Sequence, residues 1–144
     1  MRPRPGVGRG WAVKITADTN LLVRVVVGDD LRQAGVAEAA LANAELVALP
    51  LPVLCEFAWV LNSLYRVPRA GIAVALRRMT GVENVAMNRP AVEAGLAQVD
   101  AGGDFADGAI AFEGARLGAD EFVSFDRQAV RLVQARGGAA RVLT

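Results

Sequence analysis

Short apolar runs alternate along this chain with longer segments of helical period, and that alternation limits the available folds more than any single residue does. Strand-like runs fall at 14–17, 46–49, 84–87, 121–125 and 140–143. Helix-like stretches fall at 21–27, 31–44, 53–65, 69–79, 91–99, 105–117 and 128–135. Two parallel strands need a crossover connection between them, and helices of this length supply one. The pattern therefore predicts an α/β chain with a central, mainly parallel sheet. In such sheets ligands sit beyond the carboxyl ends of the strands, where successive loops converge. At 144 residues the chain suits one domain, placed at 14–144. Residues 1–13 are rich in Gly, Pro and Arg without periodicity. They are expected to be a disordered extension or a tag, whose removal leaves fold and activity unchanged. The glycine-rich stretch 6–10 precedes a strand instead of following one, so it is not expected to be a phosphate loop.

What the chain lacks narrows its chemistry. It contains no His, which removes the Ser-His-Asp triad, the Cys-His pair, His-ligated zinc and every histidine base. Lys14 is the only lysine, a poor candidate for a phosphate-loop or Schiff-base role. Any catalysis falls to carboxylates. Sixteen Lys and Arg balance 15 Asp and Glu, and a net charge of +1 gives no strong nucleic-acid signature. The basic residues are nearly all Arg, which suits bidentate phosphate contacts. Cys55 stands alone in an apolar run, so no internal disulfide forms, in agreement with a reducing compartment. The longest uncharged apolar stretch, 46–55, is about half a membrane span and contains Pro50 and Pro52. No apolar segment of a secretory signal follows the N-terminal arginines. The expectation is a cytoplasmic protein with no membrane partner.

Four acids fall near where strands or loops feed helices. Asp18 directly follows the first strand; it is placed either to cap the next helix or to serve a site. Glu56 has Val53 and Val60 as helical neighbours, so it is expected on an apolar face, needing either an Arg partner or a bound cation. Asp104 and Asp107 share one face of the helix after Gly102 and Gly103, and capping by Asp104 explains one of them. Ala111, Gly114 and Gly118 continue that face as small residues expected to permit close packing. Asp126 follows the fourth strand and reads equally as a cap. Brought to one sheet edge, Asp18, Glu56, Asp107 and Asp126 repel one another, and a divalent cation bound through oxygen is the economical neutraliser. Mg2+, with Mn2+ as a substitute, fits an all-carboxylate donor set.

The segments ADTNLLVRVVVGDD, LPLPVLCEFAWVL, GGDFADGAIA and FVSFD, in that order and spacing, resemble the PIN domain, and in particular the VapC-type toxins of bacterial toxin–antitoxin pairs. The resemblance covers about residues 14–143. It implies a three-layer α/β/α fold and a Mg2+-dependent endoribonuclease that hydrolyses RNA phosphodiester bonds, normally dimeric and held inactive by a cognate antitoxin. It also implies that Asp18, Glu56, Asp107 and Asp126 are the catalytic acids, with Asp18 and Asp107 holding the metal. Asn20 and Ser124 match small polar residues beside the first and fourth acids, and Asp104 is an extra acid found in some members. Gly108 stands where Ala is more usual, at a cost in helix propensity. Arg24, Arg66, Arg69 and Arg127 are candidates for phosphate contacts or for a solvated surface.

Two other functions compete. An aspartyl-phosphate phosphotransferase would use Asp18 as nucleophile, but that chemistry commonly has an acid two residues on and a later lysine, where this chain has Asn20 and none. A non-catalytic α/β binding module would use the acids as caps and ion pairs. The stretches 53–65 and 69–79 carry Leu54, Trp59, Leu61, Leu64, Ile72, Val74 and Leu76 around more than one face, more than a core of this size is expected to bury. The surplus predicts a homodimer, with an apolar antitoxin helix in the groove between these two helices.

Overall fold

The computed structural model describes residues 13–144. Twelve elements follow in the expected alternation: β1 (Lys14–Thr16), α1 (Thr19–Val27), α2 (Leu31–Asn43), β2 (Leu46–Ala48), α3 (Leu51–Ser63) and α4 (Arg69–Thr80). They continue as β3 (Val85–Ala86), α5 (Arg89–Asp100), α6 (Phe105–Arg116), β4 (Phe122–Ser124), α7 (Arg127–Ala135) and β5 (Ala140–Val142). Every strand pairing is parallel, with β2 between β1 and β3 in one ladder and β4 beside β5 in another. The chain thus has the α/β architecture expected of it, but the anticipated single sheet is divided. Among the described residues no hydrogen bond joins the two ladders. Lys14 and Thr16 on β1 and Val123 on β4 stay exposed, as on edge strands.

Helices α1, α3 and α5 each start two residues earlier than their periodicity indicates, and α7 one; α1 opens at Thr19 because Asp18 caps it, and the early starts of α3 and α5 involve proline. Pro52 lies in the first turn of α3 and Pro90 in that of α5. A first-turn proline donates no bond that the helix needs and brings a suitable φ, so it opens a helix instead of preceding one. The stretch 1–13, expected to be an extension or tag, lies outside the described residues except for Val13, whose carbonyl accepts from Glu45 N at 2.8 Å.

The main core gathers Leu54, Phe57 and Leu61 of α3, Ile72 and Leu76 of α4, Val92 and Leu96 of α5 and Phe105 of α6 over Val47 of β2. Four of the seven apolar side chains expected to be in surplus on α3 and α4 are therefore buried; Trp59, Leu64 and Val74 remain exposed. No helix among the described residues is long and apolar enough to cross a membrane.

Candidate functional site

At the carboxyl end of β1, Ala17 N donates to Ala48 O at 3.1 Å, and the chain turns directly into α1. Asp18 caps that helix, Oδ1 accepting from Leu21 N at 2.9 Å, while the residue itself stays exposed. The adjacent Thr19 is buried and its hydroxyl donates to Glu56 Oε1. This contact draws the second acid to the first across α1 and α3. Sequence reasoning passed over Thr19; its only signal was a hydroxyl immediately after a candidate acid. The structure also corrects the setting of Glu56, which is exposed instead of lying in an apolar face. Helix α3 buries Leu54, Phe57, Ala58 and Leu61, so Val53 and Val60 flank a partly wetted face and do not imply a dry one. Asn20 is exposed on α1.

The other acids stand on α6 and before α7. Helices α5 and α6 approach so closely that a Cβ on Gly108 would lie 2.5 Å from Ala94 O and 2.7 Å from Gln98 Cβ. Gly95 likewise leaves room for the Phe105 ring, which a Cβ there would meet at 2.5 Å. Gly108 is therefore a packing requirement beside Asp107, not only a loss of helix propensity. The expectation for Gly114 and Gly118 is overturned, since a Cβ at either would have nothing within 4 Å.

Asp107 is half-buried at the start of this seam. Burial, and then the charges of Asp104 and Asp126, push its carboxyl above the usual range. Asp104 occupies the N-cap position of α6 but does not cap with its side chain. It pairs instead with Arg69 Nη2 at 3.3 Å, while Arg69 Nε donates to Gly103 O at 2.9 Å. Asp126 caps α7, Oδ1 accepting from Ala129 N at 3.0 Å, and Ser124 Oγ accepts from Asp126 N at 3.0 Å. Of the other arginines singled out, Arg24 pairs with Asp29 at 2.9 Å, and Arg66 and Arg127 are exposed.

The acids thus form two groups: Glu56, held by the hydroxyl of Thr19 next to Asp18 in the chain, and Asp107 within electrostatic reach of Asp104 and Asp126. Their donor chemistry fits a hard divalent cation, because every donor is a carboxylate oxygen and the mutual repulsion at Asp107 is what a cation offsets. Among the described residues no three acidic, His or Cys side chains stand together as a ready metal cage. Cys55 adds no thiolate, since burial and then the charge of Glu113 push its thiol up.

A family model described as the PIN domain matches residues 15–134, well over half of the chain. The matched region contains Asp18, Glu56, Asp107 and Asp126. No curated protein matches the chain.

Proposed function

The chain belongs to the PIN domain family, and on that premise we propose that it is a Mg2+-dependent endoribonuclease acting as the VapC-type toxin of a toxin–antitoxin pair. PIN domains are nucleases that generally depend on divalent metal ions such as Mg2+. The observation that carries the reading to these residues is the crowding of charge at Asp107, half-buried and within reach of Asp104 and Asp126.

In this proposal the nuclease domain spans 14–144. Asp18 and Asp107 hold the ion, while Glu56 and Asp126 orient water or complete the donor set. When bound, the cation supplies a Lewis acid that activates water and stabilises charge on the phosphoryl oxygens, which a chain without histidine needs. Thr19 fixes one oxygen of Glu56, and Ser124 fixes the turn that presents Asp126. Arg69 pairs with Asp104, whereas Asp107 has no ion pair among the described residues. Arg66 and Arg127, exposed and without an ion pair among the described residues, serve as phosphate contacts. The exposed Trp59, Leu64 and Val74 support a homodimer whose surface also receives the antitoxin on α3 and α4; the reading places the protein in the cytoplasm.

The test is cleavage of a labelled RNA by purified protein with Mg2+, Mn2+ or EDTA, alongside Asp18→Asn and Asp107→Asn. Metal-dependent cleavage that falls at least ~100-fold in both variants is expected, consistent with loss of groups acting on the reacting phosphate. Equal cleavage in EDTA, or by the variants, overturns the site assignment. Purification from the native genomic context should bring down a small partner that suppresses the activity.

A further inference from the structure

Phe125 stands at the junction of β4 and α7 with its ring in solvent. It is 75% exposed, more than any other aromatic side chain among the described residues; Trp59 follows at 61%, while Phe57 and Phe105 are buried. The backbone on both sides of the ring is nevertheless held. Leu143 N donates to Ser124 O at 2.8 Å, Ser124 Oγ accepts from Asp126 N at 3.0 Å, and Asp126 Oδ1 accepts from Ala129 N at 3.0 Å. Gln128 Nε2 donates to Gly102 O at 3.2 Å, which ties this turn to the loop leading into α6 and Asp107. An aromatic side chain has few rotatable bonds, so on a turn fixed in this way it loses little freedom when something packs on it.

The surroundings of the ring indicate what that something is. Ser124 and Asp126 flank it, and Arg127, one residue further, is exposed and in no ion pair among the described residues. A protein contact centred on an aromatic anchor is normally ringed by side chains that exclude water. Here the nearest residues along the chain offer a hydroxyl, a carboxylate and a guanidinium instead. Stacking a nucleobase needs only a free planar face, with phosphate charge met close by. Adjacent Cα atoms are about 3.8 Å apart, so the ring reaches the nucleotide next to a phosphate bound at Asp126 or Arg127.

We propose that Phe125 is the stacking platform for an unpaired nucleobase beside the scissile phosphate, with Arg127 on the adjoining phosphate group. The inference rests on the ribonuclease reading above and adds a specificity-determining residue to it. Bases inside a duplex already stack on their neighbours and offer no face, so the platform favours single-stranded RNA with little regard to which base is presented.

The experiment measures binding apart from cleavage. A fluorescein-labelled single-stranded oligoribonucleotide, and the same strand annealed to its complement, are titrated by anisotropy with the full-length chain. That chain carries Asp107→Asn so that the RNA survives, alone or combined with Phe125→Leu or Phe125→Tyr. Phe125→Leu keeps an apolar side chain but removes the ring. It is expected to weaken single-strand binding about 5- to 100-fold, the range for one base stacked on an aromatic side chain, with Phe125→Tyr staying within about twofold. Duplex affinity should be the same in all three proteins, and circular dichroism unchanged, as suits an exposed position. Equal single-strand affinity with and without the ring, or none in either, overturns the proposal. So does a loss that Phe125→Tyr fails to restore or that the duplex shares. Loss of a co-purifying protein partner in Phe125→Leu, with RNA affinity unchanged, assigns the ring to a protein contact and also overturns it. The two readings fail separately. Ring-dependent binding without metal-dependent cleavage by the wild-type chain removes the nuclease activity and keeps the base contact; cleavage whose KM is unchanged by Phe125→Leu does the reverse.

Discussion

Among the four candidate site acids Asp107 is the one held away from its ordinary titration range, and the sign of that shift has consequences for stability. Its carboxyl is held above the usual range by burial and then by Asp104 and Asp126. An acid whose pKa is raised on folding binds more protons folded than unfolded, so stability falls as pH rises from its unfolded value through its folded one. Asp107→Asn lacks that loss and should melt higher than the parent at neutral pH. The difference should vanish below the ordinary carboxylate range, as scanning calorimetry across pH would show; an equal gain at all pH values would contradict the assigned cause. Thr19 offers a second handle. Removing a partner that orients a functional group typically costs about 10–100-fold in affinity or activity. Thr19→Val keeps the shape but loses the hydroxyl that Glu56 accepts. It should lower cleavage within that range and change stability by only about 1 kcal/mol, with Thr19→Ser restoring the rate; unchanged kinetics in the Val variant would remove Thr19 from the site. Neither Thr19 nor the exposure of Glu56 could be read from the sequence, because both depend on how α1 meets α3. Asp18 and Asp126 were legible, since an acid between a strand and a helix is a cap whatever else it does.

Helices and strands were largely visible in advance because periodicity is local. Among the described residues, seven helices and five strands stand where the alternation placed them; the early starts of α3 and α5 trace to Pro52 and Pro90 in first turns, and that of α1 to its cap at Asp18. Pairing between distant strands is not local, and so the division into two ladders was hidden. The glycines of α6 show the same limit, because a one-dimensional pattern does not say which small residue touches a neighbour. Here the structure reverses the sequence expectation. Gly108→Ala drives a methyl into the Ala94 carbonyl and should destabilise by about 1–3 kcal/mol despite its better helix propensity. Gly114→Ala enters open space and should stabilise by about 0.5–1 kcal/mol. Urea denaturation of the two variants side by side checks the assignment of the seam; a gain in both would mean that α5 and α6 do not approach as described.

At the scale of the molecule, the unit β4–α7–β5 is tied to the rest by few polar links. The most buried is Gln98 on α5, fully enclosed, whose Nε2 donates to Ala129 O at 3.4 Å and whose Oε1 accepts from Arg136 Nη1. Gln128 Nε2 adds a bond to Gly102 O at 3.2 Å. Leucine at position 98 would remove both bonds that Gln98 makes to this unit, each a net contribution of about 0.5–1.5 kcal/mol. Gln98→Leu should therefore speed amide exchange across 122–142 well before it does so in α3 or α4; uniform acceleration would show a single cooperative block instead. Asp126 belongs to the unit beyond Gln98, while Asp18, Glu56 and Asp107 belong to elements on the near side. Heat that loosens this joint carries away one acid while the main core is still intact. Thermal inactivation should then set in below the midpoint of global melting and reverse on cooling.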